Sequence, residues 1–180
     1  MNEMGSGRPV ILLTGAPGAG KSTVIQKVLG RLGARAAGFY TREVRSAGER
    51  TGFEIVTTGG EVAWLATKRQ EVAFAREVSF HGYRVNLDAL DLVAAPALLD
   101  ATRQGKVVVV DEIGPMEIFS ESFCRAVRVL RDGDATVVGT VVERPNAFAD
   151  AVKAHPRVRV VPVTRENREA LAVRICGWVM

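Results

Sequence analysis

The chain has 180 residues, 47% hydrophobic and 24% charged, which excludes intrinsic disorder and suits one domain with a full core. Twenty-four Lys and Arg against 20 Asp and Glu leave a net charge of +4, which favours an anionic partner without naming it. Cys124 and Cys176 lack any C-x-x-C spacing, so a zinc site or disulfide framework is disfavoured, and the longest apolar runs are far too short to span a bilayer.

Residues 1–8 read as a flexible Gly/Ser leader, too brief in its apolar part for a signal peptide, so a cytoplasmic protein is expected. Val10 to Leu13 is continuously apolar and reads as a buried strand. A Gly-rich loop follows, then a helix over 21–32 whose stripe is Val24, Ile25, Val28, Leu29 and Leu32. Residues 36–66 change character. Strands near 38–44, 52–56 and 61–65, separated by turns at 46–50 and 58–60, predict an antiparallel meander. Residues 67–85 read as partly irregular. Residues 87–103 read as helical, with a break or a first-turn proline at Pro96. Val107 to Val110 is a second buried strand. A helix ending at Gly133 follows, capped by Ser120 or Ser122. Strands over 136–142 and 158–163 flank a short helix near 146–153, and Thr164 is placed to cap a last helix. Strands alternating with helices predict an α/β fold: a mainly parallel sheet with helices on both faces.

The loop Gly15-Ala16-Pro17-Gly18-Ala19-Gly20-Lys21-Ser22 matches G-x-x-x-x-G-K-[ST], with the apolar strand before it and the amphipathic helix after it. Glycines let successive N–H groups face phosphate oxygens, and the helix start adds its positive dipole end. Lys21 is then placed for the β- and γ-phosphates, and the Ser22 hydroxyl for Mg²⁺; Thr23 continues the same turn. Asp111 and Glu112 end the second buried strand and face the same crevice. Asp111 suits Mg²⁺, and Glu112 suits the polarisation of an attacking water. Arg42 and Arg45 are candidate cations for charge on a moving phosphoryl group, or solvated side chains of an exposed hairpin. Asn167 and Arg168 are candidate base-reading groups, or ordinary residues of a helix start. Arg125, Arg128 and Arg131 read as a solvated helix face rather than a nucleic-acid stripe.

Several segments together resemble the THEP-type nucleoside triphosphatase family. They are residues 15–22, 38–45, 51–53 and 82–86, then Asp111-Glu-Ile-Gly-Pro-Met-Glu-Ile-Phe-Ser120 and Val163-Thr-Arg-Glu-Asn-Arg168. The chain departs from that pattern at Pro115 and within 140–145. The resemblance implies a three-layer, RecA-like P-loop fold and slow, base-tolerant hydrolysis of nucleoside triphosphates. It also implies phosphate binding by 15–22, Mg²⁺ and water roles for Asp111 and Glu112, and site roles for Arg42, Arg45, Asn167 and Arg168. A monomer is expected, without nucleic-acid or membrane partners. A small-molecule or nucleotide kinase shares every phosphate-loop feature, and a nucleotide-dependent RNA- or protein-binding switch is a third reading.

Overall fold

A computed structural model describes residues 8–180, so all but Arg8 of the expected leader lies outside the described residues. Nine strands form one continuous sheet. They are β1 (Val10–Thr14), β2 (Ala36–Ser46), β3 (Glu49–Thr57), β4 (Val62–Thr67), β5 (Glu77–Phe80), β6 (Tyr83–Asn86), β7 (Val107–Ile113), β8 (Val137–Val141) and β9 (Val158–Pro162). Their order is β5-β6-β4-β3-β2-β7-β8-β1-β9. From β2 to β9 the pairings are parallel; from β2 outward to β5 they are antiparallel. The meander is therefore an extension of the main sheet rather than an appendage beside it.

The parallel strands are apolar on both faces because both faces are covered. In β1, Val10 and Leu12 enter one core while Ile11 and Leu13 enter the other. In β7, Val108 and Val110 face the first core and Val109 the second. Helices α1 (Lys21–Leu32) and α6 (Arg168–Val179) cover the second face. The first face carries α3 (Ala95–Arg103), α4 (Glu121–Asp132) and α5 (Ala147–Lys153). The three-layer α/β architecture expected from the sequence is present.

Three local expectations need correction. Of residues 67–85, expected to be partly irregular, 68–76 are, but 77–86 form the β5–β6 hairpin: Val78 pairs with Val85, and His81 and Gly82 both take positive φ (46° and 78°) at its turn. Two positive-φ central residues suit a tight hairpin turn, but His-Gly is a weaker sequence signal for it than Asn-Gly. The helix expected over 87–103 divides into a short α2 (Leu87–Ala89), a wider π turn over Leu90–Ala94, and α3. Pro96 lies in the first turn of α3, where its missing N–H costs no helical bond. The last helix begins at Arg168, because residues 164–167 close a turn of their own before it.

Candidate functional site

Strands β1, β7, β8 and β9 end at the same edge of the sheet, and every element of the site emerges there. Open α/β sheets form ligand crevices at this edge. β8 separates β1 from β7, the strand insertion that marks a RecA-like arrangement.

The phosphate loop leaves β1 after Thr14. Gly15 has φ +147° and passes so close to the β9 end that a Cβ there would stand 2.7 Å from the Val163 carbonyl oxygen. The loop turns with an Ala19 N–H bond to the Ala16 carbonyl, and Gly20, at φ +103°, starts α1. The first turn of α1 holds no acid and no side-chain cap. Its N–H groups and the helix dipole are thus left to an anion from outside the loop. Lys21 folds over the loop and donates to the carbonyls of Gly15 (2.8 Å) and Ala16 (3.4 Å). Ala16, Pro17, Gly18, Ser22 and Thr23 are exposed.

Asp111 lies across from the loop and is 2% exposed. Thr140, on the intervening strand β8, donates to its Oδ1 at 2.7 Å. Ser22 and the Thr41 backbone lie close enough to favour the charged form of this carboxylate. Burial still pushes the Asp111 carboxyl above its ordinary range, against the hydrogen bond from Thr140, the nearby Ser22 and the charge of Lys21. Its second oxygen, Oδ2, is buried without a hydrogen-bond partner. A buried acceptor in this state is costly, and a cation would relieve it. Ser22 and Asp111 are therefore an oxygen pair suited to Mg²⁺, which in phosphate sites takes one or two protein oxygens and completes its shell with phosphate and water. Among the described residues, no group of three or more His, Cys, Asp or Glu forms a metal cluster.

Glu112 is half-buried beside it. Burial raises its carboxyl, Lys21 opposes the rise, and Asp111 adds to it. The peptide joining Asp111 and Glu112 is cis. Sequence reasoning missed a third acid, Glu117, buried in a short 3-10 turn over Glu117–Phe119. Burial, reinforced by Glu112, pushes Glu117 up to about 8. Thr140 was missed as well. The only signal for it was a threonine near the carboxyl end of an otherwise apolar strand.

The remaining candidates divide. Arg168 lies against the phosphate loop, where a Cβ on Gly20 would stand 2.9 Å from its Cδ, and its Nε is buried without a partner. The Asn167 side chain is occupied locally: it accepts from the Thr164 N–H (2.9 Å) and donates to the Pro162 carbonyl (2.9 Å). It shapes the loop that carries Arg168. Arg42 donates to Glu54 at 2.6 Å, and Arg45 to Glu43 at 2.8 Å, so both guanidiniums are held by acids of the β2–β3 hairpin. A separate cavity of about 730 Å³ lies at the opposite end of the parallel strands, lined by Gly33, Tyr40, Thr57, Ala97 and Lys106 among others. The chemistry-bearing side chains are not in it.

The NTPase family matches residues 10–176. The chain is 38% identical to the nucleoside-triphosphatase THEP1 of Thermotoga petrophila, over 92% of this chain and 89% of that protein. It is also 38% identical to the human cancer-related nucleoside-triphosphatase, over 89% and 91% respectively. The crystal structure of THEP1 from Aquifex aeolicus superposes with a TM-score of 0.83 at 34% identity, covering 95% of this chain and 98% of that one. The solution structure of a human cancer-related nucleoside triphosphatase gives 0.79 at 36% identity, covering 96% and 97%. With this family match over most of the chain and relatives of this similarity, the chain belongs to the NTPase family.

Proposed function

We propose that this chain hydrolyses nucleoside 5'-triphosphates to diphosphate and phosphate in a Mg²⁺-dependent reaction of broad base tolerance. The observation that carries the proposal is the buried, unpartnered Oδ2 of Asp111, a carboxyl group that senses Ser22 and the charge of Lys21, together with the uncapped start of α1. Free N–H groups of the loop and of the first turn of α1, with the α1 dipole, hold the phosphates, and Lys21 exchanges its loop carbonyls for phosphate oxygens. Ser22 and Asp111 hold Mg²⁺, which when bound neutralises charge on the β- and γ-oxygens. Glu112, with no arginine or lysine ion-paired to it among the described residues, is free to orient the attacking water and accept its proton. Thr140 fixes the Asp111 carboxylate. Arg168 borders the nucleotide beside Gly20, and Arg42, next to Thr41, is the better placed of the two hairpin arginines to offset charge in the transition state. Arg42 would act only by leaving Glu54, and Arg45 only by leaving Glu43.

Hydrolysis is preferred to phosphoryl transfer because the similar proteins are named nucleoside-triphosphatases. No described helix is long and apolar enough to cross a membrane. We take the chain to act as one cytoplasmic domain, monomeric and without a nucleic-acid partner. Its two cysteines, both free and buried, agree with a reducing compartment.

Phosphate release from ATP, GTP, CTP and UTP, with and without Mg²⁺, tests the proposal. Release from all four that depends on Mg²⁺ is expected. Release from none, or release only when a phosphate acceptor is supplied, would overturn it.

A further inference from the structure

Two acids are buried among the described residues, Asp111 and Glu117, and only Asp111 belongs to the phosphate-binding machinery. Glu117 is 4% exposed and has no ion-pair partner among the described residues. Gly114 and the Glu112 carboxyl lie beside it, and Asp111 is near enough to add its charge. An apolar side chain of similar volume would be less costly in such a place. The nearby backbone of Gly114 and of Glu117 itself partly offsets the effect of burial on its carboxyl.

The feature that gives this acid a use is Gly114. A Cβ at Gly114 would stand 2.8 Å from Glu117 Oε2, 3.2 Å from Glu112 Cδ and 3.3 Å from Glu112 Cγ. The two carboxyl groups therefore both crowd the space beside Gly114 that a side chain there would fill. We propose that Glu117 is a positioning residue for hydrolysis: packed with Glu112 beside Gly114, it fixes the Glu112 side chain in the orientation that holds the attacking water. A neutral Glu117 braces Glu112 without repelling it and adds no charge beside the triphosphate. This inference rests on the hydrolytic role given above to Glu112.

The test compares Glu117→Gln, Glu117→Met and Gly114→Ala, using ATP with Mg²⁺ and recording kcat, KM and the thermal midpoint. Met keeps the volume but removes the carboxyl, so its kcat is expected to fall about 10- to 100-fold with KM unchanged. Its thermal midpoint should hold or rise. Gln, a neutral polar match, should restore most of the turnover that Met loses. Gly114→Ala drives a methyl against both acids and should reproduce the kcat loss with the Glu117 side chain itself unchanged. A merely structural Glu117 gives the opposite pattern, with Met at least as active as Gln, and that result overturns the inference. So does full turnover in Gly114→Ala, which decides the matter if Glu117→Met does not fold. Loss of activity in Glu112→Gln alongside a fully active Glu117→Met would overturn this inference while leaving the hydrolytic reading standing. Full activity in Glu112→Gln would overturn the hydrolytic reading itself.

Discussion

Asp111 is held at one carboxylate oxygen and open at the other: Thr140 donates to Oδ1, and Oδ2 is left unpaired. Thr140→Val keeps the shape but removes the donor. The Mg²⁺ concentration for half-maximal turnover should then rise about 10-fold, read by titrating Mg²⁺ at saturating ATP; an unchanged requirement would deny Thr140 its role. Lys21, Ser22, Asp111 and Glu112 were legible in the sequence because each lies in a contiguous motif whose spacing is set by local backbone geometry. Thr140 and Glu117 were not, because their significance comes from strands and turns packed together across the fold. A threonine in a strand and a glutamate in a short turn are ordinary until their neighbours are known. Asn167 shows the converse. The sequence singled it out as a base-reading candidate, and the fold uses both ends of its amide to build the turn before α6.

Among the elements, α4 has the most explicit start signal. Ser120 Oγ accepts from the Phe123 N–H at 2.9 Å and donates to Asp91, which in turn pairs with Arg76 at 2.7 Å. One residue thus caps α4 and ties it to the helical segment that precedes α3. Ser120→Ala should lower stability by about 1–2 kcal/mol, measured by denaturant unfolding with the m-value unchanged; no loss would contradict the capping role. The buried strands β1 and β7 were readable from continuous apolar runs, and α1 and α4 from their stripes and terminal glycines. The β5–β6 hairpin was not readable, because four-residue strands give too little alternation to register. Nor was the π turn, since Pro96 announces a disturbance in the helix but not how the backbone absorbs it.

At the scale of the whole molecule, the parallel half of the sheet brings the phosphate loop, Asp111, Thr140 and the Arg168 loop to one edge, while the antiparallel half extends away from it. The net charge of +4 is a weak guide to this site, because arginines such as Arg42, Arg76 and Arg128 are paired with acids on the surface. The buried Glu117 has a global signature instead. Its carboxyl is held up to about 8 in the fold, whereas the unfolded chain releases that proton in the ordinary carboxylate range. Between those values the folded state binds the extra proton, so stability is highest below the unfolded pKa and falls as pH rises toward the folded one. Glu117→Gln should flatten this decline between about pH 5 and pH 8, seen as a thermal midpoint that changes less with pH than in the parent chain. An identical pH slope in both proteins would contradict a neutral buried Glu117. The central claim is hydrolysis directed by the acid at the end of β7, and its most direct measurement is phosphate release by Glu112→Gln set beside nucleotide binding by the same protein. The account predicts Mg²⁺-dependent release in the parent chain, nucleotide binding retained in Glu112→Gln, and turnover reduced by about 100-fold or more. Turnover equal to that of the parent chain would contradict it.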